Sequence, residues 1–369
     1  MTSKTLPKAP KCLPVLLAVA LAVAACATPS VGGGELTPTA TPVAATVTPP
    51  EAPSPETPSP PKPTNTLVVV ATPEKATPTA TSTMAPTDTA TDTPTLTPTG
   101  TLPEPFYGTH FVLSSDLGTV RELGVEVVLT AFPHNGTPEN WLAYLNAAQV
   151  QDIQVIAWLW PQGWTWDGTA WRIDNQAELF VQTVAGHPAL LAVYALHEPY
   201  WNGCLGCGYT TAEQQALYRA IKAIADVPIH SAVDSMSAWT AYGEETAFAE
   251  GICDYCETWY HPLREDGTYE RERFISQLTA DLAVARERAP NSRIVWSMQC
   301  FAQDGYYRMP TADEMRDLAS IVYSTDIDGA LWYPWTMSGL YSDFLSNHPE
   351  LYPVVREVYD EYVLKAKHP

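Results

Sequence analysis

The chain has 369 residues and a formal net charge of −21, with 20 Lys and Arg against 41 Asp and Glu. That balance, with no clustered run of Lys or Arg, excludes a nucleic-acid-binding surface and disfavours docking on anionic lipid headgroups. All 38 aromatic residues, 12 Trp among them, lie beyond residue 103, so the large apolar surface is confined to one block of about 266 residues, enough for a single core without staples.

Residues 1–26 read as an export signal. Lys4, Lys8 and Lys11 form a basic start, and Leu13 to Ala25 is an apolar run of 13 residues, too short to span a bilayer comfortably. The run ends in Val23-Ala24-Ala25-Cys26, which resembles the bacterial lipobox. That resemblance implies that Cys26 is lipidated and becomes the new N-terminus. Several acyl chains there suffice for stable anchoring. The expected location is the extracytoplasmic side of a bacterial cell membrane.

Residues 27–103 hold 17 of the 34 Pro and no aromatic residue. With so little apolar surface to bury, this segment cannot offset the entropy of ordering and reads as a disordered Thr/Pro-rich linker. Thr37-Pro38-Thr39 and Pro94-Thr95-Leu96-Thr97-Pro98 are typical of it, a text that favours extended, polyproline-like chain. The short apolar run Leu67–Ala71 is isolated between prolines and is read as linker.

From residue 104 apolar runs alternate with helical patterns. The strand-like runs are Tyr107–Val112, Val125–Phe132, Gln154–Trp160, Leu190–Glu198, Val227–Asp234, Ile252–Tyr260, Arg293–Phe301 and Asp328–Trp335. Helical spacing covers Pro138–Gln151, Asn175–Ala185, Ala212–Ala225, Glu270–Arg288, Thr311–Ser324 and His348–Lys367. Thr137-Pro138 and Pro310-Thr311-Ala312-Asp313-Glu314 carry start signals, the second with acids in its first turn. Eight β units alternating with helices predict an α/β fold, a single (β/α)8 TIM barrel over 104–369. A doubly wound sheet would call for a Gly-rich phosphate loop after the first strand, and Gly108-Thr109-His110-Phe111 is not one.

In such a barrel the chemistry sits at the C-terminal ends of the strands. Those ends supply His110, His134, Trp160, the run His197-Glu198-Pro199-Tyr200-Trp201, Asp234, then Glu257, Trp259, Tyr260 and His261, Gln299, and finally Trp332, Tyr333 and Trp335. The inventory is aromatic, carboxylate and imidazole, without phosphate-binding glycines or a cluster of cations. Indole and phenol faces stack on the C–H faces of sugar rings, and carboxylates and amides hydrogen-bond sugar hydroxyls. A single Trp is better read as core; the concentration at one end of the barrel is what points to carbohydrate.

The run Leu190-Leu191-Ala192-Val193-Tyr194-Ala195-Leu196-His197-Glu198-Pro199 resembles the fourth strand of retaining glycosidases of the large barrel clan that includes cellulases and β-galactosidases. A second set of matches covers Val295–Phe301, Arg308-Met309-Pro310-Thr311, Glu314-Met315-Arg316 and Gly329–Tyr333, and the likeness spans most of 105–365. The resemblance implies a glycoside-hydrolase-like domain with Glu198 as general acid/base. It also implies a Glu nucleophile at the end of the seventh strand, where this chain has Gln299. An amide is no nucleophile of that kind, so Glu198 needs another partner, and Glu257 and Asp234 are the candidates. Whether Glu257 points inward depends on register. Either Cys253, Tyr255, Glu257 and Trp259 share the inner face, or Asp254, Cys256, Thr258 and Tyr260 do.

Three mechanisms follow. Glu198 works with Glu257 or Asp234 as nucleophile or base; or an N-acetyl group of the substrate is the nucleophile, oriented by Gln299 or Tyr260; or the barrel binds glycan without cutting it. His110, His134, His197, Trp160, Trp259, Tyr260, Gln299 and Trp335 are the candidate sugar contacts. No cofactor or metal is expected, since the first strand offers one His rather than the H-x-H of a metal-dependent barrel. In an exported chain Cys pairs read as disulfides: Cys204–Cys207 locally, and Cys300 with Cys253 or Cys256. The sum is a surface-anchored hydrolase of poly- or oligosaccharide, with a non-catalytic glycan-binding barrel as the alternative.

Overall fold

The computed structural model describes residues 105–200, 208–337 and 339–368. Cys26, the 27–103 segment, Trp201 and the expected Cys204–Cys207 bridge lie outside the described residues.

Eight parallel strands close into a barrel: β1 (Phe106–His110), β2 (Val127–Pro133), β3 (Gln154–Trp160), β4 (Leu190–His197), β5 (Ile229–Ala232), β6 (Tyr255–Trp259), β7 (Arg293–Gln299) and β8 (Gly329–Tyr333). Each strand pairs with its neighbours in sequence, and β8 closes on β1. The expected (β/α)8 barrel is therefore the fold. Helices cover the outside, among them α1 (Leu117–Glu122), α2 (Pro138–Val150), α3 (Asn175–Val184), α4 (Thr211–Ile224), α5 (Met236–Tyr242), α6 (Arg271–Arg288), α7 (Ala312–Tyr323) and α8 (Tyr352–Val358). Among the described residues no helix is long and apolar enough to cross a membrane.

The start signals work as anticipated. The Thr137 hydroxyl accepts from Asn140 N at the start of α2, with Pro138 in the first turn, and Thr311 forms a reciprocal capping box with Glu314 on α7. A second box, Thr210 with Glu213, opens α4.

The strands are buried on both faces, which is why they read as nearly continuous apolar runs. Their outer faces join the helices in one large core. Inside the barrel Phe106, Leu129, Ile156, Tyr194, Val295 and Leu331 form a second, separate cluster. Gly329 is needed for this filling: a Cβ there would come within 2.4 Å of the Phe106 ring.

Four details differ from the sequence reading. Helices α1 and α5 are short additions that their Gly- and Ser-containing text did not announce. The last helical stretch is broken into a 3-10 turn at Pro349–Leu351, α8, and a π-helical turn at Tyr359–Leu364. An aromatic hairpin, Trp164–Trp166 with Trp171–Ile173, follows β3. Cys253 bonds to Cys256, leaving Cys300 as a buried free thiol, rather than either bonding to Cys300. The reason is that β6 begins only at Tyr255, so Cys253 sits on the turn before it and can fold back to Cys256, with Cα atoms 5.5 Å apart.

Candidate active site

The register question at β6 has a clear answer. Tyr255 packs in the inner cluster, with Trp259 against it, while Cys253 and Cys256 join the outer core. Glu257, between Tyr255 and Trp259, therefore points into the barrel and is only 2% exposed. Its two oxygens meet imidazoles from two other strands. His110 Nε2 of β1 lies 2.9 Å from Oε1, and His230 Nε2 of β5 lies 3.2 Å from Oε2. Neither His110 Nε2 nor Oε2 of Glu257 has an aligned hydrogen-bond partner, and His230 has none at either ring nitrogen.

Burial opposes ionisation of Glu257, but the attraction of His110 and His230 outweighs it and holds the carboxyl well below the usual carboxylate range. His230 is pushed the other way: burial lowers its pKa despite the neighbouring carboxylate. His261, buried and facing Arg264, is pushed down to about 3.

His110, Glu257 and His261, but not His230, border a cavity of about 90 Å³ at the C-terminal end of the barrel. His110, His197, Glu198, Glu257, Trp259 and His261 line it, together with the rings of Phe111, Trp158, Tyr194, Tyr333 and Tyr341. The ladder puts His197, Ala232 and Glu257 at one level, so Glu198 stands one residue nearer the mouth.

A bulge in β4 decides what that strand shows to the cavity. The pairing with β5 skips Ala195, whose carbonyl instead accepts from Trp164 Nε1 at 2.8 Å and Gln162 Nε2 at 3.1 Å. The skip turns Leu196 into the outer core and brings both Tyr194 and His197 inward. Tyr194 Oη and His197 Nδ1 are 2.7 Å apart, which fixes the imidazole ring, and His197 lies parallel to Trp259 at 6.1 Å. Among the described residues, three of the four non-glycine residues with positive φ stand just past strand ends on this face: Phe111 (57°), Glu198 (46°) and Asp234 (57°). Glu198 lines the cavity from this left-handed backbone, a conformation a non-glycine residue adopts at a cost.

Asp234 is half-buried and does not line the cavity, but it lies close enough to Glu198 to feel its charge. Burial, with repulsion from Glu198 and Asp281, raises its pKa to about 7. Asp281 of α6 is fully buried and was not foreseen. It accepts from Ser237 N at 2.8 Å, Thr258 Oγ1 at 2.7 Å and Gln277 Nε2 at 2.8 Å, tying α5 to β6 and α6.

The remaining candidates fall outside the cavity. Gln299 is fully buried and spent on backbone: it accepts from Leu263 N at 3.0 Å and donates to Leu263 O at 3.1 Å and Arg308 O at 3.0 Å. Ser297, two residues earlier on the same strand, faces the cavity instead. His134 pairs with Asp174 at 2.8 Å, and Trp160 packs edge-on to Trp158 with ring centroids 4.9 Å apart. Tyr260 bonds Glu270 and Arg264 on the outside. Trp335 is core, stacked on Tyr352 and donating to Asp116 Oδ2 at 3.0 Å.

Period-two spacing could have found Trp158 from Trp160 and His230 from Ala232. Tyr341 carried no such signal. It arrives on the loop after β8, held by pairing of Phe301–Ala302 with Asp343–Phe344, and its Oη bonds Tyr333 Oη at 3.0 Å. Among the described residues no three His, Cys, Asp or Glu side chains converge so as to hold a metal ion.

No family model and no curated protein sequence matches the chain. Solved structures similar to it include a putative alpha-L-fucosidase from Bacteroides thetaiotaomicron, with 13% identity over 70% of this chain and 96% of that one, at a TM-score of 0.44. An endo-beta-1,4-mannanase from Thermotoga petrophila has 11% identity over 70% of this chain and 76% of that one, at 0.47. The endoglucanase Cel5A from Pseudomonas stutzeri has 13% identity over 69% and 93%, at 0.46. At such identity and superposition these likenesses add nothing to the reading of the site, which rests on the cavity itself.

Proposed function

We propose that the barrel is a glycoside hydrolase acting on a poly- or oligosaccharide, with Glu198 as proton donor and Glu257 as the permanent anion. The observation that carries this reading is one aromatic-walled cavity holding two carboxylates in unlike environments. Glu257 is buried and held ionised by two histidines, whereas Glu198 stands half-exposed at the mouth. Two-carboxylate hydrolysis needs that division of labour. Glu198 gives its proton to the glycosidic oxygen as the bond from that oxygen to the anomeric carbon breaks. Glu257 faces the positive charge that develops on the ring, and either attacks the anomeric carbon or takes a proton from the water that does. Stacking rings such as Trp259 hold the sugar and keep bulk water away.

Gln299 favours a second reading. Where the resemblance calls for a carboxylate, this chain spends an amide on the backbone, as a barrel that binds glycan without cutting it can afford to do. Hydrolysis of a panel of aryl glycosides and polysaccharides by the full chain, beside Glu198→Gln, separates the two. Turnover lost in the variant supports the hydrolase. Sugar binding without turnover in the unaltered chain replaces it with the binder.

Cys26 as a lipid anchor, with the barrel displayed outside the membrane on the 27–103 tether, is part of the same proposal and rests on the leader's text alone. Labelling of the full chain with a radioactive fatty acid, abolished in Cys26→Ser, tests it.

A further inference from the structure

The charge balance of the cavity is one-sided. Among the described residues lining it there is no Lys or Arg. Arg264, whose field reaches His261, does not line the cavity and is committed to Glu270 and Tyr260. Burial disfavours the charged form of both His230 and His261. Against this stand the carboxylates of Glu257 and Glu198, and six aromatic rings: Phe111, Trp158, Tyr194, Trp259, Tyr333 and Tyr341. A carboxylate floor under aromatic walls is the surrounding that a desolvated ammonium group prefers, through charge pairing and cation–π attraction. An anionic sugar would meet two carboxylates and no Lys or Arg. Glu257 is also incompletely satisfied: its Oε2, buried 3.2 Å from His230 Nε2, has no aligned hydrogen-bond donor.

We infer that the sugar ring seated in this cavity carries a free amine, a 2-amino-2-deoxyhexose unit whose ammonium donates to Glu257. The inference rests on the glycan reading above and names the substrate class for the same site. The two roles of Glu257 are compatible because the nitrogen of such a sugar is bonded to C2, next to the reacting C1, so one carboxylate face can meet both. An N-acetylated ring would bring an uncharged amide to an anion that needs a donor with charge. It would also enlarge the group that must fit beside Trp259 and His197.

The test is calorimetric titration of the full chain with methyl glycosides of glucosamine and galactosamine. The N-acetylated, parent neutral and uronic acid forms are measured alongside. At about pH 6, where the amine is charged, the amino sugar is expected to bind at least about tenfold tighter than its neutral and N-acetyl counterparts, with the uronate weakest. A free amine of this kind titrates at about pH 8. On the unaltered protein the advantage should therefore fade towards about pH 9. Glu257→Gln should erase the advantage, so that whatever binding remains no longer separates the amine from its neutral counterpart. If that variant does not fold, the pH series on the unaltered protein still decides. Neutral or N-acetyl sugar binding as tightly as the amine overturns the amino-sugar inference and leaves the glycan reading standing. No binding by any sugar of the panel overturns both.

Discussion

Replacing Gln299 distinguishes scaffold from chemistry at the one position where the resemblance and the structure pull apart. The side chain is fully buried and makes three hydrogen bonds, to Leu263 N, Leu263 O and Arg308 O. In Gln299→Ala the Leu263 carbonyl keeps Arg308 N as a donor at 3.4 Å, but Leu263 N and Arg308 O lose these partners. Two buried backbone groups left unpaired cost about 2–4 kcal/mol together. For a domain of this size that is a fall in Tm of roughly 5–12 °C. Gln299→Glu should do no better. A carboxylate still accepts from Leu263 N but donates to neither carbonyl, and it buries a charge among acceptors. Thermal unfolding followed by circular dichroism gives the stability, and aryl glycoside turnover on the same samples gives the activity. If Gln299→Glu melted with the unaltered chain and hydrolysed glycosides faster, Gln299 would be a disabled nucleophile aimed at substrate, and the backbone-bracing account would be wrong.

Three further outcomes are expected. Asp234 has a folded pKa raised to about 7, so the native state holds its proton where the unfolded chain has released it; its contribution is complete below about pH 4 and is lost as pH rises through 7. Asp234→Asn should flatten the fall in Tm between those limits, and an unchanged slope would show that the burial and the Glu198 repulsion are misjudged. Burial opposes charge on His348, but Asp343 at 2.6 Å and Glu350 at 2.7 Å outweigh it and raise its pKa. Its stabilising share is therefore present below about pH 6.5 and lost as pH climbs through the raised value; His348→Ala should remove that slope in a Tm against pH series, and retention of the slope would count against the pairing. The Cys253–Cys256 bond closes a very short loop, which in the chain-entropy account stabilises by about 2 kcal/mol. Cys253→Ala/Cys256→Ala should lower Tm by roughly 4–8 °C, while buried Cys300 stays unreactive to a thiol reagent until the chain unfolds; rapid labelling mapped to Cys300 in the native protein would contradict this.

Much of the barrel was legible because its signals are local. Eight apolar runs between helical spacings, with Thr137 and Thr311 as caps, need no knowledge of distant contacts, and all eight became strands. Of the candidate site, His110, His197, Glu198, Glu257 and Trp259 meet in one cavity because residues at the C-terminal strand ends of a parallel barrel must converge. The other proposed contacts stand at the same strand ends, and Gln299, Tyr260 and Trp335 are each turned away by a particular partner: the Leu263 backbone, Glu270 with Arg264, and Tyr352 with Asp116.

By itself, then, the order of residues determined the fold class and the strand ends at which His110, His197, Glu198, Glu257 and Trp259 gather. The tertiary structure alone decided which face of β6 looks inward, and with it that Glu257 lies between His110 and His230. It alone placed the bulge at Ala195 that turns both Tyr194 and His197 into the cavity, and it alone brought Tyr341 over the mouth from a loop. The physical reason is range. Periodicity and caps act over a few residues, whereas the phase of a strand and the exposure of an amide are set by partners outside that window, from Arg308 beside Gln299 to His110 beside Glu257, which contribute nothing to local sequence pattern.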